Sequence, residues 1–262
     1  MGQNFLSDPN VAAMIVGRCE FAPDDTVLEI GAGLGALTVP LAGKVKRVLA
    51  VEPDKRIAAI LGNELLAAGA HNVTIIEKDI LRCDIETLAG ASDTHLKVVG
   101  NLPYHISSQV LIRLINSRKW IDGAALMFQK EVAERILANP GTKTYGKLSV
   151  LIQYCARIRL LAQVSASSFF PKPKVDSQVV GIAFYSQLPF RAPDEPLLFR
   201  LVHAAFGKRR KTLKNALLSS DLGFEEQRIS SALELAGIDP RRRAETLSVK
   251  EFVTLATMLK KE

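Results

Sequence analysis

The stretch TVLEIGAGLG, residues 26–35, joins a short strand pattern to a glycine-rich turn and indicates the fold of the region around it. Residues 26–30 are rich in β-formers, and the glycines that follow allow the chain to turn sharply and to approach a ligand closely. Helical spacing continues in ALTVPLAGK, so free N–H groups at the start of that helix point at the turn. The GxGxG spacing differs from the GxGxxG of dinucleotide folds, and the alternative interpretation is a tight turn without a ligand.

Strand and helix patterns alternate along the first 130 residues. Further strands are predicted at 47–51, 73–76, 96–100 and 125–128, and helices at 9–19, 55–69, 107–117 and 129–138. Strands this apolar are buried on both faces, so we expect an α/β fold with a mostly parallel sheet covered by helices on each side. After a helical pattern at 148–156, two strands at 157–164 and 178–185 are separated by a proline-rich loop, which favours an antiparallel edge.

The alternation stops at LPFRAPDEP, residues 188–196, and only helical patterns follow. Four amphipathic helices are predicted near 194–206, 209–219, 225–236 and 248–260. We therefore expect two domains, an α/β domain at 1–187 and a small all-helical domain at 188–262. Residues 186–262 hold 14 basic and 10 acidic residues, so the small domain is the more densely basic part of the chain.

Composition excludes several classes of protein. The chain has 262 residues, 48% of them hydrophobic and 23% charged, which is typical of a globular protein rather than a disordered one. Its net charge of +7 is compatible with a polyanionic partner. The three cysteines and four histidines are scattered, so we expect neither a disulfide framework nor a metal site. No signal-peptide pattern, 18-residue apolar stretch or heptad seam occurs, which predicts a cytoplasmic monomer without a membrane span.

Acidic residues follow the second and third predicted strands. Glu52 lies 21 residues after Gly31, where a carboxylate can accept hydrogen bonds from ribose hydroxyls. Asp79 follows the third strand, where a carboxylate can accept from the exocyclic amine of adenine. A solvated strand-end or cap residue is the alternative interpretation for each. Because parallel strands end at one edge of a sheet, the glycine turn and these two residues together favour an adenosine-containing cofactor.

The fourth strand ends in NLPY, residues 101–104, which resembles the motif of enzymes that methylate amino groups; alone, it also fits an ordinary strand-to-helix turn. With it the chain resembles the rRNA adenine-N6 dimethyltransferase family over nearly its whole length. The motifs that carry the resemblance are GQNFL (2–6), EIGAGLG (29–35), VEPD (51–54), KDIL (78–81), NLPY, FQKEVAERI (128–136), FFPKPKVDS (169–177), FGKRRKTLKNAL (206–217) and RRRAETLSVKEF (241–252). The resemblance implies a Rossmann-like class I methyltransferase domain.

The resemblance also implies S-adenosyl-L-methionine as the methyl donor. Asn4 and Leu6 are expected to line its pocket, although residues 3–6 alone also fit a frayed terminus. The glycine turn is expected to meet its amino-acid end and Glu52 its ribose. The full set of expected cofactor-binding residues is Asn4, Leu6, Glu29, Gly31, Gly33, Glu52, Asp79 and Asn101.

The expected catalytic residues are Asn101, Leu102, Pro103, Tyr104 and Phe170. The N6 amine of adenine is a weak nucleophile because its lone pair is delocalised into the ring. Hydrogen bonds from that amine to the Asn101 side-chain oxygen and the Leu102 carbonyl draw electron density onto nitrogen, and Pro103 restricts Leu102 to extended conformations. Tyr104 supplies an aromatic face for the flipped base. Either Phe169 or Phe170 can stack on its other side, or both rings can be core anchors.

Basic residues are the expected RNA contacts: Lys172, Lys174, Lys208, Arg209, Arg210, Lys211 and Lys214. The last five open a predicted helix, and Arg241–Arg243 forms a second basic cluster; a solvated charged face is the alternative interpretation. Members of the family usually carry a short basic stretch before GQNFL, whereas here only Met1 precedes it, so RNA contacts by such an arm are in doubt.

The resemblance implies dimethylation of two adjacent adenines near the 3′ end of 16S small-subunit rRNA, in a pre-30S particle during ribosome biogenesis. The alternatives are the related 23S rRNA adenine-N6 resistance methylase, a non-catalytic RNA-binding assembly factor, and a DNA adenine methylase. The leucine of NLPY and the RAETL segment (243–247) favour the small-subunit enzyme.

Overall fold

The structure of the protein is a computed structural model that describes residues 4–90, 95–208 and 210–260. The chain divides into two compact units. The α/β unit comprises Met1–Ala133 and Ile158–Phe184, and the helical unit comprises Glu134–Arg157 and Tyr185–Glu262.

Nine strands are present in the described residues: β1 Phe5–Leu6, β2 Thr26–Ile30, β3 Arg47–Val51, β4 Val73–Ile76, β5 Leu96–Asn101, β6 Ile121–Gln129, β7 Ala156–Val164, β8 Phe169–Phe170 and β9 Ser177–Phe184. Seven of them form one sheet in the order β4-β3-β2-β5-β6-β9-β7. Strands β2 to β6 pair in parallel, and β9 runs antiparallel to β6. The predicted mostly parallel sheet with an antiparallel edge is therefore confirmed.

The central strands β2 and β3 are buried, and seven of their ten residues are apolar. All five residues of β2 and four of the five in β3 are buried. Their flanking helices are α1 Pro9–Arg18, α2 Thr38–Ala42, α3 Lys55–Ala67, α4 Ile85–Gly90 and α5 Ser107–Asn116. Asp8 starts α1 by accepting a hydrogen bond from Asn10 N at 2.9 Å, and Asp54 starts α3 by accepting from Arg56 N at 2.9 Å.

The connection order places a crevice between β2 and β5. From β2 the chain runs outward through β3 to β4 and then returns to form β5 on the other side of β2. In open α/β sheets a ligand binds beyond the carboxyl ends of the strands at such a reversal. Strand β2 ends at Ile30 and β5 ends at Asn101, so the glycine turn and NLPY meet there.

The remaining helices are α6 Lys130–Leu137, α7 Lys147–Cys155, α8 Glu195–Phe206, α9 Leu213–Leu218, α10 Glu226–Leu235 and α11 Val249–Lys260. The predicted boundary at 188 left residues 134–157 in the first domain, whereas the structure includes them in the helical unit. The ring of Tyr154 packs edge-on against Phe199 at 6.0 Å, and Tyr145 against Phe206 at 6.2 Å. Helix α7 is apolar on nearly every side, so its sequence pattern alone does not indicate this packing.

Helix α9 begins later than its sequence pattern predicts. It starts at Leu213 rather than near 209, and the Thr212 side chain caps it by accepting a hydrogen bond from Asn215 N at 3.4 Å. The prediction that the basic run opens this helix is therefore wrong. Basic residues in a first turn oppose the helix dipole, and threonine is a favoured N-cap, so both effects move the start to Leu213. No helix in the described ranges has the length and apolarity needed to cross a membrane.

Candidate active site

A pocket opens in the α/β unit at the carboxyl ends of β2 and β5. We call it the strand-end pocket; its lining residues come from three segments, 4–6, 29–37 and 101–104. Six of the eight expected cofactor-binding residues lie in its wall, namely Asn4, Leu6, Glu29, Gly31, Gly33 and Asn101. Leu102, Pro103 and Tyr104 line it as well. Motifs from three distant parts of the sequence therefore form one cavity.

The glycine turn needs glycine for two reasons. Gly31 has φ = 73° and Gly33 has φ = 57°, a region of backbone conformation that favours glycine. A Cβ on Gly33 would also lie 3.3 Å from the Phe5 ring, and one on Gly31 would lie 3.4 Å from the Asn101 carbonyl oxygen. A side chain at either position would therefore fill space beside the pocket.

Glu52 is buried behind the glycine turn. Its Oε2 accepts a hydrogen bond from Gly33 N at 3.0 Å, and its Oε1 accepts from Asp54 N at 3.1 Å. Each carboxylate oxygen keeps a second lone pair that can accept from a ligand hydroxyl. Glu52 thus fixes the turn, although its own side chain is not part of the pocket wall.

Asp79 lies beyond the end of β4 and is half-buried. One of its carboxylate oxygens, Oδ1, accepts a hydrogen bond from Leu81 N at 2.9 Å, so the residue is a cap as well as a ligand candidate. Asp79 does not line the strand-end pocket in the described residues. Of the expected cofactor-binding residues, Asp79 alone neither lines the pocket nor is hydrogen-bonded, within the described part of the chain, to a residue that does.

Glu29 is a buried carboxyl in the wall of the pocket, with 1% of its surface exposed. Its Oε2 has no hydrogen-bond partner among the described residues, and neither has the neighbouring Thr38 hydroxyl. Burial raises the pKa of Glu29 to about 8, and the negative charge of the Glu52 carboxylate adds to this rise. Glu29 therefore holds a proton at neutral pH.

Asn101 is the last residue of β5, and its side-chain amide is held in one orientation. The amide Nδ2 donates a hydrogen bond to the Asn4 carbonyl at 3.1 Å. A carbonyl only accepts, so Nδ2 is the atom that faces Asn4, and Oδ1 is left to accept from another donor. The N-terminal motif thus orients the side chain that the sequence predicts to be catalytic.

The other residues of NLPY are fixed by the turn into α5. The Leu102 side chain is buried, and its carbonyl has no hydrogen-bond donor among the described residues. The Pro103 carbonyl accepts from Ile106 N at 3.1 Å. The hydroxyl of Tyr104 lies 3.3 Å from Ser177 Oγ, and its carbonyl accepts from Ser107 Oγ at 3.0 Å. Ser177, the last residue of the FFPKPKVDS motif, therefore supports Tyr104, a role that the sequence pattern does not indicate.

The N-terminal motif is a strand and not a frayed terminus over the residues that the structure describes. Strand β1 pairs antiparallel with β8, with Phe5 opposite Phe170 and Leu6 opposite Phe169. A further hydrogen bond joins Ser7 N to the Ser168 carbonyl at 2.9 Å. Gly2 and Gln3 of the motif lie outside the described residues.

The two consecutive phenylalanines have opposite environments because neighbouring residues of a strand face opposite ways. Phe169 is 3% exposed and belongs to the core of the α/β unit, whereas Phe170 is 73% exposed. Of the pair, Phe170 alone presents its ring to solvent. Lys172 and Lys174 are also exposed in the same loop.

The basic residues of the helical unit are not equivalent. Lys208, Arg210 and Lys211 are exposed, and Arg209 lies outside the described residues. Lys214 forms an ion pair with Glu226 at 2.7 Å. In the second basic cluster Arg241 pairs with Asp239 and Arg242 pairs with Glu251. No group of three or more His, Cys, Asp or Glu side chains able to hold a metal ion occurs in the described parts of the chain.

Known proteins resemble this chain over its whole length. Residues 1–261 match the sequence model of the family described as ribosomal RNA adenine dimethylase. A protein of Desulforapulum autotrophicum named ribosomal RNA small subunit methyltransferase A is 49% identical, over 99% of this chain and 90% of its own length. A protein of the same name from Moorella thermoacetica is 44% identical, over 98% of this chain and 91% of its own.

Solved structures share the fold. A dimethyladenosine transferase from Plasmodium falciparum has a TM-score of 0.81 and 28% identity, covering 96% of this chain and 95% of its own. The 23S rRNA methyltransferase ErmE has a TM-score of 0.73 and 25% identity, covering 98% of this chain and all of its own. The likeness therefore extends through both units of the chain.

Proposed function

Since this chain belongs to the ribosomal RNA adenine dimethylase family, we propose that it methylates the N6 atoms of two adjacent adenines near the 3′ end of 16S small-subunit rRNA. It is a methyltransferase of that family with a Rossmann-like α/β unit. Its relatives named for the small subunit, at 49% and 44% identity, support the choice of rRNA. The proposed substrate is rRNA in a pre-30S particle during ribosome biogenesis, and the enzyme is proposed to act as a monomer.

The strand-end pocket fits S-adenosylmethionine as the methyl donor. When bound, this cofactor supplies a methyl group on a positively charged sulfur. The glycine turn leaves room that a Cβ would fill, and Glu29 offers a buried oxygen without a partner. Glu52 and Asp79 keep lone pairs for the ribose hydroxyls and the adenine amine. In this proposal Asn4, Leu6, Gly31 and Gly33 complete the donor site.

One observation carries the proposed chemistry, the hydrogen bond from Asn101 Nδ2 to the Asn4 carbonyl. It leaves Asn101 Oδ1 as an acceptor, and the Leu102 carbonyl offers a second acceptor beside it in the chain. Two hydrogen bonds from the N6 amine to these oxygens favour a tetrahedral nitrogen whose lone pair is free for bond formation. In the proposed transfer, the bond from nitrogen to the methyl carbon would form as that carbon's bond to the donor sulfur breaks, which leaves the sulfur as a neutral thioether. The extra proton leaves nitrogen afterwards, so water can take it and no basic side chain is required.

Aromatic residues are proposed to hold the flipped adenine. A base in structured RNA must leave its stack before its amine enters a pocket. Tyr104 is fixed through Ser177 and Ser107, and Phe170 presents an exposed ring that is already placed by its pairing with Phe5. Stacking on an aromatic side chain contributes about 1–3 kcal/mol per base. Phosphate contacts are proposed for Lys172, Lys174, Lys208, Arg209, Arg210, Lys211 and, less strongly because of its ion pair, Lys214.

The test is a methyl-transfer assay with radiolabelled donor on unmethylated 30S particles, 50S particles and duplex DNA. We expect incorporation into 30S rRNA, with two adjacent dimethylated adenines in a 3′ fragment analysed by mass spectrometry. The structural likeness to ErmE makes a 23S rRNA methylase the second candidate, and preferential labelling of large-subunit rRNA would establish it instead. Donor binding without transfer to any of the three substrates would indicate a non-catalytic assembly factor.

A further inference from the structure

We propose that a groove between α8 and α9 of the helical unit binds the RNA backbone, with Arg200 and Lys208 on phosphates and His203 as a hydrogen-bond donor. We call it the α8/α9 groove. This inference rests on the proposed function for the substrate class, and it adds Arg200 and His203 to the RNA-binding residues that the sequence suggested.

One wall of the groove is a single face of α8 and the turn that follows it. Arg200, His203, Ala204, Gly207 and Lys208 line this wall at relative positions 0, 3, 4, 7 and 8, which is the spacing of one helix face. Ala216, Ser219 and Ser220 line the other wall on and just after α9, followed by Asp221 and Leu222. Small side chains on both walls let an extended chain come close to the helices.

The cations of the groove have no ion-pair partner among the described residues, unlike several other basic residues of the helical unit. Neither Arg200 nor Lys208 has an ion-pair or side-chain hydrogen-bond partner in the parts of the chain that the structure describes. By contrast, Lys214 is paired with Glu226 and Arg241 with Asp239. A free cation can contact a phosphate without first giving up a carboxylate, so its charge contributes fully to counterion release from RNA.

His203 has a defined tautomer. Its Nδ1 lies 3.2 Å from Lys147 Nζ. A lysine ammonium carries only donors, so Nδ1 accepts this hydrogen bond and the ring proton sits on Nε2. His203 therefore presents one N–H donor, and Lys147 adds a third positive charge behind it. This arrangement suits a phosphate oxygen, which accepts hydrogen bonds and is negatively charged.

The opposite wall presents acceptors. Ser219 Oγ donates to the Asn215 carbonyl at 2.8 Å and Ser220 Oγ donates to the Leu217 carbonyl, so both hydroxyls keep only lone pairs for a ligand. Asp221 is an exposed carboxylate on the same wall. A ribose 2′-hydroxyl is a donor that matches such acceptors, and DNA lacks it. One wall thus fits phosphates and the other fits the sugar of RNA.

Arg200→Gln tests the phosphate wall, with Arg159→Gln as the matched control because it removes the same charge from an exposed, carboxylate-paired arginine that is not among the expected RNA contacts. Binding of the full chain to protein-free 16S rRNA and to 30S particles is measured between 50 and 200 mM KCl. We expect Arg200→Gln to lower the affinity for protein-free rRNA and for 30S particles about three- to tenfold. The slope of log affinity against log salt is expected to become smaller in magnitude by about one. Arg159→Gln is expected to change neither affinity by more than about twofold and to leave the salt slope unchanged.

Equal effects of the two variants, or weaker binding with an unchanged salt slope, would overturn the phosphate assignment. Weaker binding to particles alone, and not to protein-free rRNA, would mean that the groove contacts a ribosomal protein, which also contradicts it. Donor binding must be unaffected by Arg200→Gln. If the parent binds rRNA but transfers no methyl group, the proposed function fails while the groove is still tested by these affinities.

Asp221→Asn tests the sugar wall. Affinities are compared for one single-stranded sequence made as RNA and as DNA. We expect the parent to bind the RNA more tightly than the DNA. In the variant, the logarithm of the RNA-to-DNA affinity ratio is expected to fall by at least about half. An equal gain in affinity for both strands would mean that Asp221 only repels phosphates, and the sugar assignment would be wrong.

Discussion

The strand-end pocket and the α8/α9 groove hold polar side chains in opposite ways. In the pocket, Asn101 is bonded to Asn4, Glu52 to Gly33 and Tyr104 to Ser177. In the groove, Arg200 and Lys208 are exposed and without partners among the described residues. The polar groups of the pocket are thus held in place by hydrogen bonds within the protein, whereas the cations of the groove are available to a ligand.

This difference predicts that substitutions in the two regions have different effects. A preorganised acceptor acts only if its position is kept, so substitutions in the pocket are expected to lower the rate of transfer steeply and independently of salt. Exposed cations act through charge, so substitutions in the groove are expected to weaken RNA binding in small, salt-dependent steps.

The largest effect is expected for Asn101→Ala. Removing one preorganised hydrogen-bonding group from a reacting centre typically lowers kcat about 10²- to 10³-fold, and we expect a loss of this size in single-turnover transfer at saturating donor and 30S particles. Asn101→Asp keeps an oxygen acceptor but loses the Nδ2 donor to Asn4, so its rate is expected to lie between those of the parent and the alanine variant. A rate within threefold of the parent for Asn101→Ala would show that another group orients the amine.

Phe170→Ala is expected to have a smaller effect. Loss of one stacking ring costs about 1–3 kcal/mol, which corresponds to about 5- to 150-fold in kcat/KM for 30S particles. Leu160→Ala is the control because Leu160 is an exposed apolar residue of the same unit, at 43% exposure. We expect this control to keep the parental kcat/KM and both variants to keep the parental donor affinity. Equal losses in the two variants would exclude a specific stacking role for Phe170.

The third prediction concerns the pH dependence of stability in the absence of donor. The pKa of Glu29 is raised from 4.5 to about 8 by burial, so the folded protein binds this proton more tightly than the unfolded chain does. Its contribution to stability is present below about pH 4.5 and is lost as pH rises through about 8. Glu29→Gln, which cannot ionise, is therefore expected to raise Tm relative to the parent at pH 9, by about 4 °C or more, and to change it little at pH 5. An identical Tm difference at both pH values would contradict the buried, protonated state.

The alternation of strands and helices along the α/β unit was accessible from local sequence. Strands β2 and β3 have the predicted bounds because a short, largely apolar run in each is followed directly by glycine or by an acidic turn. Strand β6 is longer than predicted, since Asp122 and Gly123 weaken the pattern at its start while pairing with β5 and β9 extends it. Pairing across a sheet can thus override a weak local signal.

The wall of the pocket could not be predicted from local sequence, because it depends on contacts between residues that are far apart in the chain. Strand β1 is two residues long, and its partner β8 lies more than 160 residues further along the chain, so no periodicity reveals the pair. The sequence could place a phenylalanine beside the base, but only this pairing shows that Phe170 faces solvent and Phe169 the core. The raised pKa of Glu29 likewise depends on burial in the folded sheet and on the charge of Glu52, which is 23 residues away in sequence.

The most direct test is a crystal structure of the protein with the demethylated donor product, S-adenosylhomocysteine, and an adenine nucleotide. We predict that the N6 amine donates hydrogen bonds of about 2.7–3.2 Å to both Asn101 Oδ1 and the Leu102 carbonyl, with Asn101 Nδ2 still bonded to Asn4. An adenine whose N6 atom contacts neither oxygen, in a complex that holds the donor product in the strand-end pocket, would contradict the account.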